Sequence, residues 1–158
     1  MSSDPGPRSQ RARRVLTVCA GNICRSPAAA AVLGSLAPAI EVRSRAIHDW
    51  NLGKGAHPAV ARLAAERGYD LSGHVAAQLT TDDLAWADDV LVMDEENRRQ
   101  LARRFPADLV RKVRLLDPEG IPDPWQTDTD AAYTASLDQI EEAVRSYLAS
   151  LGPQPGLP

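Results

Sequence analysis

The stretch Val18-Cys19-Ala20-Gly21-Asn22-Ile23-Cys24-Arg25-Ser26-Pro27 lies where one periodicity gives way to another. Before it, Val15-Leu16-Thr17-Val18 is a short, largely β-branched run that reads as a buried strand. After it, an alanine-rich helix runs over residues 26–36, with Ser26 suited to an N-cap and Pro27 to a first helical position. A strand ending in cysteine, a tight glycine-containing loop and a helix start therefore form one unit.

The same alternation continues outward. Residues 40–46 read as a second strand, and residues 58–67 as a helix that Gly68 terminates. Residues 75–79 form a short extended piece. Residues 89–93 hold Val90-Leu91-Val92, a third strand, and residues 95–105 a charged helix. Residues 113–116 make a fourth strand. The closing helix, 130–151, carries Leu137, Ile140, Val144 and Leu148 on one stripe. Strands alternating with helices predict an α/β fold, a three-layer α/β/α sandwich around a central four-stranded parallel sheet. Ligands of such sheets bind beyond the carboxyl ends of the strands.

The chain has 158 residues, enough for one domain. Residues 1–13, rich in Ser, Pro and Arg, read as a disordered tail and residues 152–158 as a flexible one, leaving a folded body over 14–151. Eighteen basic and 21 acidic residues give a net charge of -3, which argues against a nucleic-acid partner. No apolar run approaches the ~20 residues of a membrane helix. The polar start lacks the apolar stretch of a secretory signal. Two cysteines exclude a disulfide scaffold, and with three histidines no ligand spacing supports a zinc site. A reducing, cytoplasmic setting is the simplest reading.

The loop carries the chemistry. Cys19 ends a strand opposite a helix N-terminus, where unpaired backbone N–H groups and the positive end of the helix dipole converge. Such a loop cradles a tetrahedral anion. Arg25 can hold two phosphate oxygens with its planar fork. The same donors stabilise a thiolate, which makes the sulfur a nucleophile at neutral pH. A cysteine ending a buried strand is ordinarily a small core residue. The spacing of cysteine, five residues, arginine and serine argues otherwise.

That loop, and with it residues 15–151, resembles the low-molecular-weight protein tyrosine phosphatase family. The resemblance implies that Cys19 forms a cysteinyl-phosphate and that Arg25 binds the phosphoryl oxygens. It implies that Ser26 hydrogen-bonds the leaving thiolate, that Asn22 holds the loop in shape, and that Ala20, Gly21, Ile23 and Cys24 complete the phosphate site. Such a mechanism needs a proton donor. Ile121-Pro122-Asp123-Pro124-Trp125 matches the family's general-acid loop, with Asp123 as acid and then base, and Trp125 as an aromatic wall. Asp128 and Asp130 read instead as parts of a helix cap. Ser44-Arg45-Ala46-Ile47-His48-Asp49-Trp50-Asn51 resembles the family loop after the second strand. By that likeness Ser44 braces Asn22, Trp50 stacks on an aromatic substrate ring, and His74 supports the loop through Asn22. Asp94 caps a helix and steadies nearby loops. Cys24 either pairs reversibly with Cys19, as in this family, or fills space under the loop.

Arg45, Ala30, Ala77 and Gln126 depart from the family pattern. Arg45 offers either an extra cation at the rim or a solvent-facing side chain. The resemblance implies hydrolysis of a phosphotyrosine protein or a small phosphorylated substrate, with inorganic phosphate as product and no cofactor, metal or membrane. A small-molecule phosphomonoesterase is the main alternative. An arsenate reductase commonly needs further downstream cysteines, and none follows Cys24. A protein-arginine phosphatase typically has threonine where Ile23 stands. A non-catalytic phosphate-binding module would be expected to lack Cys19 or Asp123.

Overall fold

The structure is a computed structural model and describes residues 11–153. Four strands, β1 (Arg14–Cys19), β2 (Glu41–Ala46), β3 (Asp89–Val92) and β4 (Val113–Leu115), form one parallel sheet in the order β2-β1-β3-β4. Helices α1 (Arg25–Leu36), α2 (Pro58–Glu66) and α6 (Asp130–Leu151) lie on one face. Helices α3 (Thr81–Trp86), α4 (Glu95–Arg104) and α5 (Ala107–Val110) lie on the other. The three-layer sandwich expected from the sequence is the architecture observed.

Alternation along β1 and β3 divides the core. Val15, Cys19, Leu91 and Met93 pack with Val32 and Leu33 of α1 and Leu137, Ile140 and Val144 of α6. Leu16, Val18, Val90 and Val92 pack on the opposite side with Leu84 and Leu101. Most of these side chains are wholly buried, each contributing roughly 1.5–3 kcal/mol relative to exposure. The two central strands are thus packed on both faces. Strand order turns at β1: its chain leaves toward β2 on one side, and β3 lies on the other. The loops after β1 and β3 diverge there and leave a crevice.

Helix starts show a pattern that bears on function. The side chains of His57, Thr80, Asp94 and Thr129 cap α2, α3, α4 and α6. Helix α1 has no side-chain cap and no acid in its first turn. Ser26, read from the sequence as its N-cap, lies inside the helix instead, and Cys24 holds the N-cap position. The serine hydroxyl is committed to Cys19 and Asn22.

Element boundaries differ from the sequence reading by a residue or so at several ends. The extended piece near residue 78 is a single parallel bridge, Ala46 with Gln78. Helices α3 and α5 are new. Of the expected tail, residues 1–10 lie outside the described residues. Arg11 and Arg13 are anchored, donating to Asp88 and Asp89 at 3.0 and 3.1 Å, so the body takes in residues assigned to the tail. Helix α6 ends at Leu151 as expected, and residues 154–158 lie outside the described residues. Among the described residues no helix is long and apolar enough to cross a membrane.

Candidate active site

Cys19 ends the central strand β1, 3% exposed, with its sulfur beneath the loop that leads into α1. The Asn22 backbone N–H donates to Cys19 Sγ at 3.2 Å. Ser26 Oγ lies 2.9 Å from the same sulfur. Asn22 Nδ2 donates into Ser26 Oγ at 2.7 Å, so the serine's own proton is directed at Cys19. The Asn22 N–H and the Ser26 hydroxyl thus converge on the sulfur.

Asn22 is the buried keystone of this loop. Its φ is +59°, a left-handed conformation that asparagine tolerates better than most residues. Its Nδ2 also donates to Ser44 Oγ at 2.6 Å, and its Oδ1 accepts from the Ala77 N–H at 3.2 Å. Its carbonyl pairs with His74 Nε2 at 2.6 Å, which places the imidazole proton on that nitrogen. Burial holds His74 below its ordinary pKa, opposed by the Asn22 bond and assisted by nearby Arg45. The loop is therefore braced from β2 through Ser44 and from the 74–77 segment. A Cβ at Gly21 would lie 2.7 Å from Asn51 Nδ2, so that side chain would have to shift and give up its bond to the Gly21 carbonyl.

Arg25, 3% exposed, is aimed by two acceptors. Its Nη1 donates to Asp94 Oδ2 and to the Ile121 carbonyl, both at 2.7 Å. Its Nη2 lies 3.8 Å from Asp123 Oδ2. Asp94 follows β3 and also caps α4 through the Asn97 N–H, so one carboxylate serves two elements. Asp123 precedes a single 3₁₀ turn, Pro124–Gln126, and its Oδ1 accepts from the Trp125 N–H at 3.1 Å.

Cys19, Arg25, Asp123, Trp50 and Trp125 line one cavity of about 470 Å³ with the backbone of residues 20–24. The indoles of Trp50 and Trp125, 64% and 60% exposed, form its walls. Trp50 stacks on His48 with ring centroids 4.1 Å apart, and His48 Nδ1 lies 3.1 Å from Arg104 Nη2. Burial, then the Arg104 charge, holds His48 below its ordinary pKa. Both cysteines are free. Burial, the nearby Cys19 and Asp123 push the Cys24 thiol up to about 12, so it remains a thiol at neutral pH. Among the described residues no group of His, Cys, Asp and Glu is arranged to hold a metal ion.

Every site residue expected from the sequence meets in this region, with Ser44 and His74 behind the loop. One reading needs correction. Arg45 is neither a rim cation nor solvent-facing: its Nε donates to Asp83 Oδ2 at 3.1 Å and its Nη1 to the Ser44 carbonyl at 2.9 Å. Asp128 and Asp130 lie in the cap of α6 as expected, on either side of its N-cap residue Thr129. Asp128 accepts from Tyr133, and Asp130 pairs with Arg62. Sequence reasoning missed Asp83, which joins Arg43, Arg45 and Thr80. Thr80 followed by Asp83 is a capping-box signal that marks this position. It also missed His48, Asn51, His57 and Tyr133, each of which has a partner remote in sequence: Arg104, Gly21, Tyr133 and His57.

Comparisons with known proteins show what the chain is similar to. Residues 14–155 match the model of the family described as low molecular weight phosphotyrosine protein phosphatase. The chain is 35% identical over 138 residues to a probable low molecular weight protein-tyrosine-phosphatase, EpsP, of Ralstonia nicotianae, covering 86% of this chain and 94% of that protein. It is 35% identical over 153 residues to a low molecular weight phosphotyrosine protein phosphatase of Sus scrofa, covering 88% and 96%. The structure of Vibrio vulnificus Wzb in complex with benzylphosphonate superposes with a TM-score of 0.83 at 30% identity, covering 87% of this chain and 98% of that one.

Proposed function

This chain belongs to the low molecular weight phosphotyrosine protein phosphatase family, hydrolases that work through a cysteinyl-phosphate, and we propose that Cys19, Arg25 and Asp123 carry that reaction here. The observation that carries the proposal is the placing of Cys19 Sγ, with donors from Asn22 and Ser26, in the same cavity as Arg25 and Asp123.

The Cys19 thiolate attacks phosphorus in line with the ester oxygen. The P–O bond to the phenol breaks as the S–P bond forms. Asp123, protonated for this step, gives its proton to the departing oxygen, a contribution of about 10²–10⁴ in rate. The equatorial oxygens are held by backbone N–H groups of the 20–25 loop other than that of Asn22, which bonds Cys19, and by Arg25, whose direction Asp94 and the Ile121 carbonyl fix in advance. In the second step Asp123, now a carboxylate, takes a proton from water as the water oxygen attacks phosphorus. The S–P bond breaks, inorganic phosphate leaves, and the Ser26 hydroxyl stabilises the departing thiolate.

The two indole walls suit a flat aromatic leaving group seated between them. The Vibrio relative's complex with benzylphosphonate, an aromatic phosphonate, supports an aryl phosphate over an alkyl one. A phosphotyrosine side chain on a protein is the substrate we assign. A reducing compartment such as the cytoplasm suits a reaction that runs on free sulfur.

The test is phosphate release from phosphotyrosine peptides, from small alkyl phosphates and from p-nitrophenyl phosphate, without added metal. Wild type, Cys19→Ser and Asp123→Ala are compared. Preference for the peptides, with turnover lost in Cys19→Ser, supports the proposal. Preference for alkyl phosphates moves the substrate to small molecules, and turnover by Cys19→Ser overturns the nucleophile.

A further inference from the structure

The loop that carries Asp123 is held differently at its two ends. At the near end the Ile121 N–H donates to the Met93 carbonyl at 2.8 Å, and its own carbonyl receives Arg25. At the far end stands Asp128, whose N–H donates to the Pro124 carbonyl at 2.9 Å. Its φ is +55°, a conformation that a residue with a side chain keeps only where its surroundings hold it.

What holds it is a chain of polar groups that the reaction itself does not use. Asp128 Oδ1 accepts the Tyr133 hydroxyl at 2.7 Å. Tyr133 is 3% exposed, and its ring stacks on His57 with centroids 4.8 Å apart. His57 Nδ1 accepts from the Ala59 N–H at 3.1 Å, so the neutral ring carries its proton on Nε2, 3.2 Å from the Tyr133 oxygen. Burial and the Asp128 bond raise the Tyr133 pKa, which keeps the phenol a donor. The His57 backbone N–H donates to the Ile23 carbonyl at 2.8 Å, inside the phosphate loop.

We propose that His57, Tyr133 and Asp128 form a strut that ties the phosphate loop to the far end of the acid loop and so positions Asp123 for proton transfer. The proposal rests on the reading of Asp123 as the general acid. All three are positioning residues, since none lines the cavity around Cys19. The strut fixes the distance between nucleophile and proton donor from the side opposite Arg25.

Tyr133→Phe keeps the ring and its stack and removes only the hydroxyl. We expect kcat on a phosphotyrosine peptide to fall about tenfold, and on p-nitrophenyl phosphate less than about twofold, because the activated ester needs little protonation. KM stays near its wild-type value. An equal fall on both substrates, or no change on either, overturns the proposal. Asp128→Asn, which tolerates the backbone conformation and weakens the acceptor, is expected to show the same substrate split at smaller size, and its absence counts against the strut. Asp123→Ala is measured beside them. If it loses equally on both substrates, the acid assignment fails, and the strut is then judged by structure alone. With 5-fluorotryptophan in place of Trp50, Trp86 and Trp125, the fluorine resonance of Trp125 shifts or broadens in Tyr133→Phe while the other two hold. A Trp125 signal identical to wild type overturns the strut whatever the kinetics of Asp123→Ala.

Discussion

The phosphate loop and the acid loop face each other across one cavity and are built by opposite means. In the first, Cys19, Asn22, Arg25 and Ser26 are all buried, and each polar group of Asn22 has a partner. In the second, Asp123 is 30% exposed, Trp125 more so, and Asp123 Oδ1 bonds within its own turn. A cradle for developing charge works best when nothing has to move as the charge appears. A proton donor, the role proposed for Asp123, must meet a leaving group and later a water, which suits a place on the open side of the cavity.

Cys19→Ser removes the reacting atom and keeps the shape of the first loop. Turnover is expected to fall by at least about 10³-fold, while calorimetry still detects binding of inorganic phosphate. Loss of that binding as well would mean that the sulfur, and not the backbone, organises the cradle. Asp123→Ala attacks the second loop. It is expected to cost about 10²–10³ on phosphotyrosine and far less on p-nitrophenyl phosphate, read from kcat on the two substrates.

Asn22→Ala tests whether the first loop is as tightly determined as its bonds indicate. It removes the side-chain bonds to Ser26, Ser44 and Ala77 and strains a left-handed backbone. Urea unfolding should show a loss of about 2–3 kcal/mol. A loss near zero would erase the contrast between the loops. Trp50→Ala touches only the wall: KM for aryl phosphates should rise about fivefold, with kcat unchanged, and alkyl phosphates should barely respond.

The smallest effect is one of pH. The folded state depresses the His74 pKa below its ordinary 6.5, chiefly by burial. Below that value the unfolded chain binds a proton more readily than the folded one, so stability rises with pH there. The contribution is complete above 6.5 and is lost as pH falls through the depressed value. His48 shifts in the same direction, so His74→Gln should reduce the slope of unfolding free energy against pH and leave a remainder.

The sheet and the loop that carries Cys19, the proposed nucleophile, are legible because both rest on local pattern. The Val15–Val18 run announces a strand, and the spacing of Cys19, Arg25 and Ser26 places an anion site at its end. Asp123, the proposed general acid, is picked out in the sequence by its flanking prolines and a family likeness. What escaped is held by long-range contact. Arg45 leaves β2 for Asp83, 38 residues away in sequence, and Tyr133 finds His57 at a separation of 76. No window of sequence contains such pairs. Ser26 was misread for a related reason. Serine before proline is a sound local signal for a cap, but the tertiary site claims its hydroxyl for Cys19 and Asn22.

The uncapped start of α1 has a thermodynamic consequence. The other helices of six residues or more finish their first turn with a side chain of their own, whereas α1 carries no side-chain cap and the proposed reaction brings a phosphate to that end. An anion that binds the native chain and ignores the unfolded one adds stability in proportion to its occupancy, about 2.7 kcal/mol at a hundred times its dissociation constant. The melting temperature should therefore climb with inorganic phosphate, while the same phosphate, as product, obstructs turnover. The protein is at its most durable when it is least free to act.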